Sequence, residues 1–196
     1  MRQTLLLLIL GANCLNAAST TALDAYKLAR EQVNKLARES LVQIDGKPHS
    51  PSILPNEWII LFYDPYADQN GTMVRIAGKT IVEIRDGFMQ MGKFRMASYK
   101  QEEILDVSKL KVDSDDVLKI LRKSPLLTDV KISSLGLWLK KDGKGPLAPS
   151  LWYVTLYGLN HKADEIEFGE AEISAYSGKI VRLDVNLKKI EPKLEN

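Results

Sequence analysis

Leu-Trp-Tyr-Val-Thr-Leu-Tyr, residues 151–157, is the stretch that decides the predicted fold. Its bulkier apolar side chains alternate with tyrosine and threonine, and a period of two predicts a β-strand with one buried face. Residues 168–176 continue the pattern, because Ala171 and Ile173 alternate with Glu170 and Glu172. A last strand is predicted at 179–185, after a tight turn in which Gly178 supplies the positive φ. Together these segments predict an antiparallel sheet with one wet face.

Two amphipathic helices are predicted ahead of the strands. The first begins near Thr21, whose hydroxyl can cap the backbone while Asp24, three residues later, completes a capping box. Its apolar residues recur at helical spacing as far as Ala37. The second begins after Asp113 and ends at Ser124, before a proline.

The same order of elements occurs twice along the chain, which indicates a duplication. We therefore predict an α+β fold of two repeated helix-plus-antiparallel-sheet units of αβββ type, each sheet packed by one helix. The order leaves open whether the units share one sheet. The predicted units span residues 19–100 and 101–187, with a charged tail at 188–196. The other predicted strands lie at 57–63, 72–77, 79–85, Phe88–Tyr99 and 129–139.

The first eighteen residues have the three-part layout of a secretory signal peptide. Arg2 supplies a positive charge, Leu5 to Leu10 are apolar, and the segment ends in Ala17-Ala18. The apolar run is shorter than the roughly 20 residues that a membrane-spanning helix needs. We expect cleavage after Ala18 and a periplasmic or secreted protein. A buried or anchoring N-terminal helix is the alternative.

Removal of the signal changes the chemistry of the chain. Cys14 is the only cysteine and would leave with the signal, so the mature chain could form neither a disulfide nor a thiolate nucleophile. Loss of Arg2 takes one from 27 basic residues, against 25 acidic ones. This near balance argues against a nucleic-acid partner, because such proteins concentrate basic residues on one face. No later segment is apolar enough to span a membrane.

The second half of the chain carries a family resemblance. Residues 152–157, followed by Ala-Glu-Ile-Ser-Ala-Tyr-Ser-Gly-Lys-Ile-Val at 171–181, resemble the pattern of PepSY or PepSY-like (β-lactamase-inhibitor-like) domains. In that family an aromatic-led strand precedes a strand with a polar end, a turn glycine and a final strand. The first half matches in outline, through Glu57-Trp58-Ile59-Ile60, and Ser174 and Ala175 stand where the family often has Asp.

The resemblance implies a non-enzymatic extracytoplasmic module, of a kind associated with peptidase propeptides and with proposed regulation or inhibition of peptidases. It transfers no catalytic or binding residue to this chain.

No motif in the chain indicates catalysis. The two histidines, His49 and His161, lie in no H-E-x-x-H pattern and beside no nucleophile signature. Residues 161–165 could form a weak metal site, but we favour a solvated loop. Met89 and Met91 could bind Cu(I), but we favour a strand core. The paired acids at 102–103 and 115–116 are typical of helix caps and solvated surfaces. We therefore predict no enzyme, no metal and no cofactor.

The loop at 140–150 is the candidate recognition element. It is long for a hairpin and contains glycine and proline, and loops on a rigid sheet often carry recognition residues. The candidate residues are Lys140, Lys141, Asp142, Lys144 and Pro146. We predict an exported binding module for a protein partner, with regulation or inhibition of a peptidase as one role. The alternative is a carrier or sensor of a small apolar ligand held between helix and sheet.

Overall fold

The computed structural model describes residues 20–87, 98–143, 145 and 147–190. The predicted signal peptide at 1–18 lies outside these residues, as do positions 88–97 of the strand predicted at Phe88–Tyr99. The helices and strands are α1 (Ala22–Arg30), β1 (Leu41–Gly46), β2 (Glu57–Tyr63), β3 (Gly71–Ala77), β4 (Thr80–Asp86), α2 (Ser114–Arg122), β5 (Ser134–Lys141), β6 (Ser150–Leu159), β7 (Glu165–Ser174) and β8 (Ile180–Val185).

All eight strands belong to one antiparallel sheet in the order β4-β3-β2-β1-β5-β6-β7-β8. The two halves of the chain meet where β1 pairs with β5, through Ile44–Leu139, Asp45–Trp138 and Gly46–Leu137. The prediction of two repeated helix-plus-antiparallel-sheet units is therefore wrong, and both halves of the chain contribute to one sheet. The error has a local cause, because the Asp45-Gly46 pair resembles a turn and β1 was not predicted. β1 lies in the middle of the sheet and bonds to both β2 and β5.

Both helices cover the same face of this sheet. Ile60, Ile44, Leu139 and Trp152 are successive partners across four strands, so their side chains share one face. All four are fully buried, and they form one apolar core with the buried residues of both helices. The helix residues in this core are Ala22, Ala25, Tyr26, Ala29, Val117 and Leu121.

Two buried tryptophans tie the sheet to the segments that lead into the helices. Trp58 Nε1 on β2 donates to the carbonyl of Thr20 at 2.7 Å, just before the cap of α1. Trp152 Nε1 on β6 donates to the carbonyl of Val112 at 2.9 Å, just before the cap of α2. Each indole thus satisfies its only donor and fixes the start of a helix.

The N-terminal ends of α1 and α2 also meet and share one cap. Asp113 Oδ1 accepts from the Ser114 N–H at 2.6 Å and from the Leu23 N–H of α1 at 3.1 Å. Ser114 Oγ accepts from the Ala22 N–H at 3.0 Å, in a buried contact. The first N–H groups of a helix lack partners within it and carry partial positive charge, so one carboxylate stabilises both helix ends.

The predicted cap by the Thr21 hydroxyl is confirmed, whereas the capping box with Asp24 is not formed, since the Asp24 carboxylate pairs with Lys27. The predicted end of the first helix is wrong. The Asp24 N–H donates to Thr21 Oγ1 at 3.3 Å, and α2 stops before Ser124. α1, however, ends at Arg30. Asn34 Oδ1 accepts from the Leu36 and Ala37 N–H groups at 2.9 and 3.0 Å, which stabilises a separate turn. Val33 and Ala37 remain buried, so the apolar spacing continues after the helix has ended.

Within the described part of the chain, no helix is long and apolar enough to cross a membrane. Each α-helix has nine residues.

The shared cap predicts an unequal response to removal of two neighbouring carboxylates. Asp113→Ala should lower the free energy of unfolding by about 1–3 kcal/mol, because it removes cap bonds from two helices. Asp115→Ala is the matched control, since among the described residues its carboxylate pairs only with the exposed Lys119, which also pairs with Asp116. Urea unfolding followed by circular dichroism measures both. Equal destabilisation by the two substitutions would contradict the shared cap.

Candidate functional site

The face of the sheet opposite the helices is here called the open face. One row of partners crosses it from edge to edge, and every member points to the same side. In order from β4 to β8 the row consists of Glu83, Arg75, Ile59, Asp45, Trp138, Tyr153, Glu172 and Arg182. No described helix covers this row, although Asp45 within it is buried.

The aromatic centre of the row is half-buried and held in place. Tyr153 donates its hydroxyl to Asp142 Oδ1 at 3.0 Å, and Lys140 Nζ lies 4.6 Å from the centroid of its ring. Trp138 is its cross-strand neighbour on β5. Burial, followed by the hydrogen bond to Asp142 and the negative charge of that carboxylate, raises the pKa of the Tyr153 phenol. Tyr153 therefore stays neutral at physiological pH and presents a polar tip and an aromatic ring.

A buried polar pair lies beside this centre, on β1. Gln43 Nε2 donates to Asp45 Oδ1 at 2.6 Å, and both side chains are buried. Asp45 lies between Ile59 of β2 and Trp138 of β5. The pair was missed in the sequence because Asp45 was assigned to a turn. The alternation over residues 42–45, Val-Gln-Ile-Asp, is the signal that could have revealed the strand.

Part of the open face on the β1–β3 side is already covered. Val42, Leu61 and Met73 form a small apolar cluster there with Tyr99, and all four are buried. The Tyr99 N–H donates to the carbonyl of Gln69 at 3.2 Å. The accessible part of the open face therefore lies toward β5–β8.

That accessible part is acidic along β7. Glu165 accepts from the hydroxyls of Ser133 and Ser134 at 2.7 and 2.9 Å. Glu167 and Glu170 are exposed, and among the described residues neither has an ion-pair partner. We call Glu167 and Glu170, with Glu165 and Glu172, the β7 acidic row.

The acidic row runs beside a second tyrosine. Tyr157 pairs with Glu167 and is half-buried. Burial, followed by the charges of Glu167 and Glu165, raises the pKa of its phenol. Two neutral tyrosines therefore lie next to a row of carboxylates, a combination that suits a cationic partner.

The predicted recognition loop begins at the edge of this surface. Lys140 and Asp142 both contact Tyr153, as described above, and the Asp142 N–H donates to the carbonyl of Pro149 at 2.8 Å across the base of the loop. Lys141 Nζ instead contacts the carbonyls of Glu102 and Gly145, at 2.9 and 3.4 Å. Lys144 and Pro146 lie outside the described residues, and recognition by this loop remains a prediction.

The histidines and methionines do not converge on a site among the described residues. His49 and His161 are exposed in separate loops. No group of three or more histidine, cysteine or acidic residues in the described ranges has the geometry to hold a metal ion. Met73 is buried in the small cluster with Tyr99, whereas Met89, Met91 and Met96 lie outside the described residues.

Comparison of the chain with family models, with curated proteins and with solved structures gave no match. The PepSY-like resemblance therefore rests on the residues quoted for it.

The Tyr153 environment predicts a measurable titration. Asp142→Asn should lower the pKa of the Tyr153 phenol, because it removes a negative charge, yet the pKa should stay above the ordinary value of 10.0 because burial is the larger cause. Carbon NMR of labelled tyrosine, followed against pH, measures the change. The raised pKa also means that Tyr153 favours the folded state fully below about pH 10 and loses this effect at higher pH.

The control for this titration is Asp164→Asn, in the loop between β6 and β7, which should leave the Tyr153 resonance unchanged. An equal shift in both variants would show that Asp142 has no specific effect on the phenol.

Proposed function

We propose that this chain is an exported, non-enzymatic binding module whose open face receives a basic segment of a partner protein. The observation that carries the proposal is the inequality of the two faces of the sheet. One face is closed by two helices over a fully buried core. The other presents half-buried Trp138, Tyr153 and Tyr157 beside exposed carboxylates.

The charge of the accessible part indicates the chemistry of the partner. The β7 acidic row lies on an inner strand that pairs with β6 along its whole length and with β8 from Gly169 to Ile173. Among the described residues, the only ion pair made by a carboxylate of this row joins Glu172 to Arg182 at 3.4 Å. Lys189 Nζ lies 3.0 Å from the backbone carbonyl of Glu167 and forms no ion pair with its carboxylate. Lysine or arginine side chains of a partner would therefore meet carboxylates without displacing existing ion pairs of Glu167 or Glu170.

The aromatic residues add a second reason to expect a basic partner. An ammonium or guanidinium group over an aromatic ring is attracted to the ring face. The contact of Lys140 with Tyr153, at 4.6 Å, has this geometry within the chain itself. Tyrosine and tryptophan are also enriched in protein interfaces, because they bury a large area and lose little side-chain entropy.

Export and the type of partner rest on the sequence. The signal layout of residues 1–18 supports a periplasmic or secreted location, and cleavage after Ala18 would keep Thr20, whose carbonyl holds Trp58. The PepSY-like resemblance supports a peptidase, or another extracytoplasmic protein, as the partner. Regulation or inhibition of that partner is the corresponding role.

The alternative function, a carrier of a small apolar ligand between helix and sheet, has less support. That space is occupied by large side chains with almost no exposed area, among them Trp58, Phe62, Trp152 and Phe168. A ligand there would have to displace packed side chains, which is costly in a close-packed core.

The proposal predicts selective retention of basic peptides. On an array of twelve-residue peptides of varied charge, the purified chain should retain those rich in lysine or arginine. Replacing Glu167 and Glu170 by glutamine should weaken this binding by about 2- to 10-fold, the effect of losing one or two exposed ion pairs. The matched control replaces Glu31 by Gln and Asp115 by Asn, which changes the net charge equally on the helix side.

Equal weakening in both double variants would show a general charge effect and would contradict a site on the open face. Retention of acidic or uncharged peptides would contradict the proposed partner chemistry. An apolar molecule that copurifies with the chain and appears in its native mass spectrum would favour the carrier.

A further inference from the structure

The outer edge of β8 has backbone groups that point away from the sheet. β8 is the last strand in the order, and it pairs with β7 on one side only. The Asn186 N–H donates to the carbonyl of Phe168 at 2.7 Å, just beyond the Gly169–Val185 pair. Bonded and non-bonded pairs alternate in an antiparallel ladder, so Arg182 and Asp184 bond to β7 while Leu183 directs its N–H and C=O outward.

No described strand pairs with this edge. Within the described ranges, no hydrogen bond joins the backbone of Leu183 to a residue outside β7. After β8 the chain forms a short 3-10 helix at Leu187–Lys189 and brings Ile190 back against Gly158 of β6. The side chains of Arg182 and Asp184 are 54% and 73% exposed, which leaves them available to a second chain.

The sequence of the edge is complementary to itself. Residues 181–185 read Val-Arg-Leu-Asp-Val, with an apolar centre and charges of opposite sign on either side. A two-fold axis perpendicular to the sheet and midway between two copies of the edge would pair Leu183 of one chain with Leu183 of the other. The same axis places Arg182 of each chain opposite Asp184 of the other, which gives two such pairs in the dimer. These would be non-bonded pairs, in which opposing side chains come closest.

We propose that two copies of the chain pair antiparallel through β8, centred on Leu183, to form one sheet of sixteen strands. The occupant of the edge is a second copy, because this register gives hydrogen-bond partners to the Leu183 N–H and C=O and also pairs the charges of Arg182 and Asp184. This inference goes beyond the proposed function, because the dimer forms through the edge of β8 and not through the β7 acidic row, which is proposed to bind the basic partner. In the single chain Arg182 contacts Asp184 and Glu172 only at 3.4 Å, so a closer partner is favourable.

Charge also selects this pairing over a head-to-tail arrangement. β4, the other edge strand, carries Glu83-Ile84-Arg85 on its outer part. Antiparallel pairing of β8 with β4 of another copy, centred on Leu183 and Ile84, would oppose Glu83 to Asp184 and Arg85 to Arg182. Like charges directly opposite are destabilising, so this alternative is disfavoured.

The pairing is expected to be weak and reversible. A register irregularity leaves Val181 as an extra residue at one end of β8, which limits the regular ladder to the residues that follow it. Charges and bulges on edge strands normally prevent such contacts. Here the alternating signs make the charges compatible with one register, so the dimer should depend on both of them.

Sedimentation velocity over a range of protein concentrations tests the proposal. The full chain should show a concentration-dependent monomer–dimer equilibrium. Arg182→Asp alone and Asp184→Arg alone should each weaken the dimer by tenfold or more, because each change opposes like charges twice. The double variant, with the two charges exchanged, should restore the dimer. A mixture of the two single variants should also form a heterodimer.

Glu83→Arg on β4 is the control and should leave the equilibrium unchanged. A chain that stays monomeric at all concentrations would overturn the proposal. So would a dimer that survives both single variants, or one that the double variant and the mixture fail to restore. Circular dichroism of each variant establishes that it is folded.

Discussion

The pairing of β1 with β5 is the contact on which the rest of the structure depends. Only three residue pairs join these strands, yet they turn two runs of antiparallel strands into one eight-stranded sheet. The row of buried side chains continues across this junction without interruption, from Ile60 and Ile44 to Leu139 and Trp152. Because the sheet is continuous, one core lies beneath both helices, and one open face lies on the other side.

The helices reinforce this junction from the buried side. Their N-terminal ends meet at Asp113 and Ser114, and Trp58 and Trp152 hold the segments that lead into them. Packing both helices on one face leaves the opposite face to Trp138, Tyr153 and the acidic row. The proposed function is thus a consequence of topology, since a rigid aromatic and acidic surface exists only where no helix packs.

The sequence predicted the local elements well and the long-range contacts poorly. Glu57–Tyr63 was predicted as a strand with its observed limits, and the cap at Thr21 and the start of α2 after Asp113 were confirmed, because each depends on neighbouring residues. β1 was missed because its polar residues, Gln43 and Asp45, suggested exposure, whereas the sheet buries them against each other. Its pairing with β5 spans about ninety residues, and no local pattern encodes it.

The sequence predicted the two faces of β7 at the candidate site, but not the long-range contacts that complete the site. The alternation of Glu170 and Glu172 with Ala171 and Ile173 predicted a wet and a buried face of β7, and this is observed. Lys140 and Asp142 were selected for their place in a long loop, but their contacts with Tyr153 depend on the pairing of β5 with β6. The small cluster around Tyr99 could not be foreseen, because it combines three strands with a distant segment.

Fluorine NMR of the chain labelled with 5-fluorotryptophan tests the central claim, that the sheet is one structural unit. Trp58 reports on β2, Trp138 on β5 and Trp152 on β6, on both sides of the β1–β5 junction. In a urea titration the three native resonances should disappear with one midpoint, because a continuous core unfolds cooperatively. Loss of the Trp58 resonance at a urea concentration where those of Trp138 and Trp152 persist would contradict the account.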